Sequence, residues 1–315
     1  MSRTLSRLQL IERSINKKFR QTLWNPFIAA IKRYELIAPG DRIAVCISGG
    51  KDSMLMAKLF QELLRHSDVD FEVVYLVMDP GYKAENRAKL EANAELLNVP
   101  IQVFETDIFA VTASTEKSPC YLCARMRRGN LYARAQELGC NKIALGHHYT
   151  DVIETTLMGL LYGGQIQAMR PKLRSTNFPG MELIRPLYCI HEDDIIAWAN
   201  YNDLHFLQCA CRFTEQNQSC ENPGTSKRLA TKQLIRQLRK EFPVVESNIF
   251  HAIHDVNMDT LVGYSLMGEE VPFLEQYARE GKRKQGECQT GIPAHSQNLH
   301  GIFSSRPPRT SQEEL

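Results

Sequence analysis

The sequence predicts an α/β protein: a doubly wound, mostly parallel sheet with helical extensions at its two ends. Three observations carry that prediction. Short unbroken apolar runs, of which Ile43-Ala44-Val45-Cys46-Ile47 is the clearest, read as strands buried on both faces. Amphipathic stretches of helical period separate those runs. A glycine turn, Ser48-Gly49-Gly50, joins the first strand to the first following helix, at the carboxyl end of a strand, where open α/β sheets bind their ligands.

Residues 1–40 form a basic helical segment, whose stretch 3–20 carries Arg3, Arg7, Arg13, Lys17, Lys18 and Arg20 against the single acid Glu12. The strand at 43–47 follows, then a helix with one apolar row at Leu55, Leu59 and Leu63 and another at Met56, Phe60 and Leu64. Further apolar runs begin near Phe71, Ile101, Lys142 and Met181. Helical stretches near residues 84–97, 122–138, 151–161 and 191–203 alternate with them, the spacing of βαβ units and a parallel sheet. Pro223-Gly224-Thr225 opens a helix from Ser226 to Phe242, which carries Lys227, Arg228, Lys232, Arg236, Arg239 and Lys240. The α/β domain thus spans 41–245. Residues 246–281 read as a helical extension, and residues 282–315, polar and aperiodic, as a disordered tail.

Composition narrows the class. With 315 residues, 43% apolar and 23% charged, the chain is of ordinary globular make-up. A formal charge of +2 provides no global field for a polyanion, so a nucleic-acid partner must be met by local clusters. No run of eighteen apolar residues predicts a membrane span, and the opening residues lack a signal-peptide core, so a cytoplasmic protein is expected. Nine cysteines, unevenly placed, point to metal or catalysis rather than a disulfide framework.

Ser48-Gly49-Gly50-Lys51-Asp52-Ser53 has the chemistry of a phosphate cradle. Its glycines let backbone approach a ligand, and the helix that follows offers unpaired amides to an anion. The serines add hydroxyls, Lys51 a charge, and Asp52 a carboxylate able to hold Mg2+ between phosphates. It is neither a Walker loop nor a dinucleotide fingerprint. Cys120-x-x-Cys123 and, about 90 residues on, Cys209-Ala-Cys211 supply either a closed four-ligand site suited to zinc or a three-ligand site suited to a [4Fe–4S] cluster with one open iron. Counting ligands does not choose between them. Cys46, Cys140 and Cys189 lie in apolar stretches and read as core residues. His147 and His148 are adjacent, leave the chain in different directions and are expected in a binding loop, not as a chelate.

The hexapeptide resembles the S-G-G-x-D-S signature of the PP-loop ATP pyrophosphatases (adenine nucleotide alpha-hydrolase-like proteins), which adenylate a carbonyl oxygen and release pyrophosphate. That resemblance implies ATP bound by Ser48, Gly49, Gly50, Lys51, Asp52 and Ser53. It also implies a nucleotide contact near Asp79, for which a strand-end turn before Pro80-Gly81 is the equal alternative. Cys120, Cys123, Arg127, Arg128 and Gly129, then Ala144-Leu145-Gly146-His147-His148 and Asp151, Tyr162-Gly163-Gly164, Arg185-Pro186-Leu187 and the Cys-x-Cys together resemble the tRNA 2-thiocytidine synthetases of the TtcA family, over about residues 25–215.

The second resemblance implies a tRNA sulfurtransferase. ATP would adenylate the 2-carbonyl of a cytidine, expected at position 32 of the anticodon loop, and sulfur would arrive on a [4Fe–4S] cluster from a donor such as a cysteine desulfurase. Cys120, Cys123 and Cys211 would be the cluster ligands, with Cys209 the alternative third. Gly146 would permit close approach to nucleotide, and Asp151 and Arg127 would act near the chemistry. Arginine transfers protons poorly, so Arg127 is read as electrostatic. In that context Lys232, Arg236, Arg239 and Lys240 are expected to meet tRNA phosphates. Rival readings are uridine thiolation or thio-base desulfuration, and a non-enzymatic ATP-binding Fe–S or zinc sensor. The absence of cysteine before Cys46 disfavours the uridine branch with its N-terminal cysteine pairs. Homodimer formation is left open.

Overall fold

The computed structural model describes residues 5–113, 119–207, 227–266, 268–275 and 277–278. Cys209, Cys211, Cys220, Cys288 and residues 282–315 lie outside these. The chain divides into two compact units, one through Asp255 and one from Val256.

In the first unit α1 (Arg7–Asn16) and α2 (Asn25–Arg33) flank a π-helical turn at Arg20–Trp24. The sheet elements follow as β1 (Arg42–Ile47), α3 (Lys51–His66), β2 (Glu72–Asp79), α4 (Ala84–Leu96), β3 (Ile101–Glu105), α5 (Ile108–Ala113), α6 (Pro119–Glu137), β4 (Lys142–Ala144), α7 (Tyr149–Gly163), β5 (Lys172–Arg174), β6 (Glu182–Ile184) and α8 (Glu192–Tyr201). Helices α9 (Lys227–Glu241) and α10 (Val245–Ala252) complete the unit.

The strand order is β3-β2-β1-β4-β6-β5, parallel throughout except for β5, which runs antiparallel to β6. The doubly wound fold is as expected. Alternate residues of β1 divide two cores: Ile43, Val45 and Ile47 meet Leu55 and Leu59 of α3, whereas Ala44 and Cys46 belong to the cluster containing Tyr132 and Ala135 of α6. Both faces are thus covered, which is why β1 reads as one apolar run.

The basic N-terminal segment is part of the first core. Ile11, Ile15, Leu23 and Phe27 are buried in it, and Phe27 packs edge-on against Phe60 with ring centroids 5.7 Å apart. Buried Lys58 of α3 is paired to Glu12 of α1 at 2.9 Å.

β1 and β4, distant in sequence, are pinned by a buried polar knot. Lys142 Nζ meets Asp41 at 2.6 Å and Glu182 at 3.4 Å and donates to the Leu36 carbonyl at 3.0 Å. Asn141 donates to Asp41 and accepts from the Arg42 amide. The strand order turns between β1 and β4, so the ligand crevice of the fold opens at their carboxyl ends.

One expectation is corrected. Residues 246–281 are not uniformly helical: after α10 and a 3-10 turn at Met258–Thr260, β7 (Gly263–Leu266) and β8 (Glu269–Pro272) form an antiparallel pair. Gly268, with φ +89°, reverses the chain between them, a conformation glycine adopts without steric cost.

Candidate active site

The phosphate loop sits at the carboxyl end of β1. Gly50 is the N-cap of α3 and no side chain caps that helix, so its first-turn amides are available to an anion. Ser53 holds the loop's shape: its Oγ donates to the Gly50 carbonyl at 3.0 Å and lies 3.1 Å from the Ser48 amide it accepts from. Gly49 has φ +82°, and a Cβ there would stand 2.7 Å from Leu207 Cδ1. Gly146, two residues past β4, lies against the same loop; a Cβ on it would lie 3.3 Å from the Ser53 amide. Its missing side chain lets the two strand ends close around the crevice.

A charged layer lies over this loop. Asp52 Oδ1 is buried with no hydrogen-bond partner, with Lys51 Nζ in ion-pair range at 3.2 Å and His148 Nε2 at 3.7 Å. His148 caps α7: its Nδ1 accepts from the Asp151 amide at 3.4 Å, and Asp151 Oδ2 accepts from the His148 amide at 3.1 Å. Acceptance at Nδ1 leaves the ring proton on Nε2, which faces both Asp52 and, at 3.5 Å, Asp151. Burial, then the Arg185 charge, pushes neighbouring His147 down to about 4, so that ring is neutral near pH 7.

From α9, Arg228 Nη1 donates to Asp151 Oδ1 at 2.9 Å and to Glu154 Oε2 at 3.1 Å. Burial would raise Asp151, but its interactions with the His148 ring and backbone amide outweigh that and hold the carboxyl below its usual range. Glu154 goes the other way. Its burial outweighs Arg228 and Lys232 and pushes the carboxyl up to about 7. The folded protein therefore binds this proton more tightly than the unfolded chain, with its carboxyl near 4.5. The stability so gained is complete below that value and lost as pH rises through about 7. Glu154→Gln, which cannot ionise, should accordingly lose less melting temperature than the unmodified protein between pH 5 and pH 8. Equal losses in the two proteins would show that Glu154 does not titrate there.

Glu192, in the first turn of α8, joins Lys51 at 3.2 Å and Lys232 of α9. Burial opposes its ionisation, but Lys232 and Lys51 together pull the carboxyl down to about 2. Burial likewise lowers Lys51, and Asp52 and Glu192 reverse that and raise it.

The other expected residues lie around this centre. Asp79 ends β2 with both oxygens engaged: Oδ1 accepts from the Gly81 and Tyr82 amides at 2.9 and 2.7 Å, and Oδ2 from Arg87 at 2.8 Å. Arg127 on α6 lies near the Tyr82 hydroxyl, as does Cys123. Cys123 is half-buried and precedes Arg127 by one helical turn; Cys120 stands three residues earlier in the sequence.

A C-x-x-C pair of soft donors suits iron–sulfur ligation. Among the described residues no group of three metal-ligating side chains forms, and both candidates for the third thiolate lie outside them. The other described thiols are held protonated: burial pushes Cys46 up to about 12 and Cys189 to about 11, and raises Cys140.

Of the four basic residues expected on the tRNA face, Arg236 and Lys240 are exposed. Lys232 is tied to Glu192, and Arg239 to Asp193 at 2.7 Å. Glu154, Glu192 and Arg228 are the site members that the sequence did not point to, and His148, expected in a binding loop, is the cap of α7. Among the described residues no helix is long and apolar enough to cross a membrane.

A family model described as a PP-loop domain matches residues 12–214. The chain is 34% identical over 252 residues to the tRNA-cytidine(32) 2-sulfurtransferase of Anaeromyxobacter dehalogenans, covering 79% of this chain and 82% of that protein. It is 32% identical over 277 residues to the protein of the same name from Alcanivorax borkumensis, covering 87% and 90%. Among solved structures, the U34-tRNA thiolase NcsA from Methanococcus maripaludis with its [4Fe-4S] cluster superposes with a TM-score of 0.57 at 20% identity, over 73% of this chain and 76% of that one; this shows a shared fold. The chain therefore belongs to the tRNA 2-thiocytidine synthetase (TtcA) family of PP-loop ATP pyrophosphatases.

Proposed function

We propose that the enzyme is an ATP-dependent tRNA sulfurtransferase that acts on the 2-carbonyl of a cytidine, at position 32 of the anticodon loop, as in the relatives' name. The observation that carries this reading is Asp52 Oδ1, an orphaned acceptor beside Lys51 and over the uncapped start of α3. A carboxylate so placed fits Mg2+ bridging to the phosphates of ATP.

Ser48, Gly49, Gly50, Lys51 and Ser53 would cradle those phosphates, with Gly146 and Asp79 bordering the nucleotide. The carbonyl oxygen would attack the α-phosphorus and expel pyrophosphate; sulfur would then replace the oxygen, which leaves with AMP. Arg127 and Lys51 would stabilise the accumulating negative charge. Asp151, held ionised by His148 and Arg228, would orient the reacting end of the nucleotide. Cys120 and Cys123, with Cys211 or Cys209, would hold a [4Fe–4S] cluster, which supplies a sulfur-carrying iron site. A cysteine desulfurase as sulfur source, a cytoplasmic location and a homodimeric assembly complete the proposal.

Pyrophosphate release that requires unmodified tRNA tests it; ATP binding without such release would leave only a sensor. The tRNA contact has its own test. Arg236 and Lys240 are exposed, so changing both to Gln should weaken tRNA binding. Each lost phosphate contact should flatten the slope of log affinity against log salt by roughly 0.7 to 0.9. Filter binding across a salt series reads this, and an unaltered slope would remove α9's outer face from the tRNA footprint.

A further inference from the structure

Lys232 does not extend outward with its basic neighbours on α9. One turn after Arg228, it reaches into the crevice and bonds Glu192 Oε2, while Lys51 of the phosphate loop takes Glu192 Oε1 at 3.2 Å. Two ammonium groups from different sides of the crevice thus share one carboxylate. The two lysine side chains are equally open, 26% and 27% exposed, so each can reach a ligand that enters there. Lysine is a compact point charge on a flexible stem, suited to following a phosphate. Two ammonium groups spaced to bracket the oxygens of a carboxylate are also spaced to bracket those of a phosphoryl group, whose greater charge competes well for both.

We infer that Lys232 is a second phosphate-binding cation of the ATP site, and that Glu192 is a placeholder anion holding Lys232 and Lys51 in position until the triphosphate displaces it. The inference rests on the phosphate-loop reading and adds a wall to the pocket from α9. It also removes Lys232 from the tRNA face. Arg228, on the same face of α9, stays with Asp151 and Glu154, so one helix would supply cations to the nucleotide and to the carboxylates beside it.

Calorimetric titration of the full-length protein with Mg2+ and a non-hydrolysable ATP analogue, without tRNA, tests this. Lys232→Gln should raise the analogue's Kd about tenfold or more, the scale of a hydrogen bond to a charged group. Lys232→Arg, which keeps the charge, should stay within about threefold of the unmodified protein. The salt slope for tRNA should be unchanged in Lys232→Gln. Glu192→Gln should bind the analogue at least as tightly as the unmodified protein, since a competing anion has gone. Unchanged analogue affinity in Lys232→Gln, or a flattened tRNA slope, would overturn the assignment of Lys232, and weakened binding by Glu192→Gln would overturn the placeholder. Lys51→Gln separates this from the underlying reading. If it weakens binding while Lys232→Gln does not, only Lys232 is misassigned; if neither does, the phosphate loop itself is.

Discussion

Asp52→Ala is expected to abolish pyrophosphate release, lowering its rate by about a thousandfold or more. A bound metal stabilises several kcal/mol of charge in phosphoryl chemistry, and each 1.36 kcal/mol is about a factor of ten. The fold should survive. The Asp52 side chain is 27% exposed, and its structural contribution is that of a first-turn carboxylate on a helix, about 0.3–1 kcal/mol. Its removal takes one acceptor from Lys51, whose Nζ donates to Asp52 Oδ2 at 3.2 Å, and leaves that ammonium its bond to Glu192 at 3.2 Å. A coupled pyrophosphate assay beside a thermal melt checks both parts; normal turnover in the variant would show that the loop binds no catalytic metal.

Cys123→Ala should be as severe by a different route, removing most of the iron and the brown chromophore from anaerobically purified protein. Cys120→Ala and Cys211→Ala are expected to behave likewise. Cys46→Ala, Cys140→Ala and Cys189→Ala should retain both, because burial keeps those thiols protonated and the thiolate is the ligand form. Loss of the cluster in Cys209→Ala and its retention in Cys211→Ala would move the third ligand by two residues. Stoichiometric zinc without iron would end the sulfur-carrier reading.

What was legible depended on how local each signal is. β1 and its glycine loop form one continuous stretch, buried strand then anion-binding turn, so fold and phosphate site appeared together. β5 could not be seen: Lys172-Leu173-Arg174 has one apolar residue, as an antiparallel edge with little burial requires. The hairpin at 263–272 was missed for a similar reason, since among the described residues of its strands only Tyr264 and Val271 are even half-buried. Glu192, Arg228 and His148 reach the site from three separate elements, and each alone looks like an ordinary helix-end residue. Glu154 did carry a signal. It lies three residues after Asp151 and is buried between Ile153 and Thr155 of a largely apolar helix, where a lone carboxylate needs a partner.

The knot of Asp41, Asn141 and Lys142 bears on the order in which the molecule assembles. Strands β1, β2 and β3 pair with near neighbours along the chain, so their contacts close short loops. The pairing of Ile43 with Lys142 must close a loop of about a hundred residues, the slow kind of contact. The crevice exists only where the ends of β1 and β4 lie side by side, with Gly146 packed on Ser53. A chain emerging from synthesis can thus build the β1–β2–β3 half, phosphate loop included, before it has any pocket for ATP. Nucleotide binding waits for β4 to dock, so a nascent chain cannot engage ATP until the residues of α6 that carry Cys120 and Cys123 have also been made.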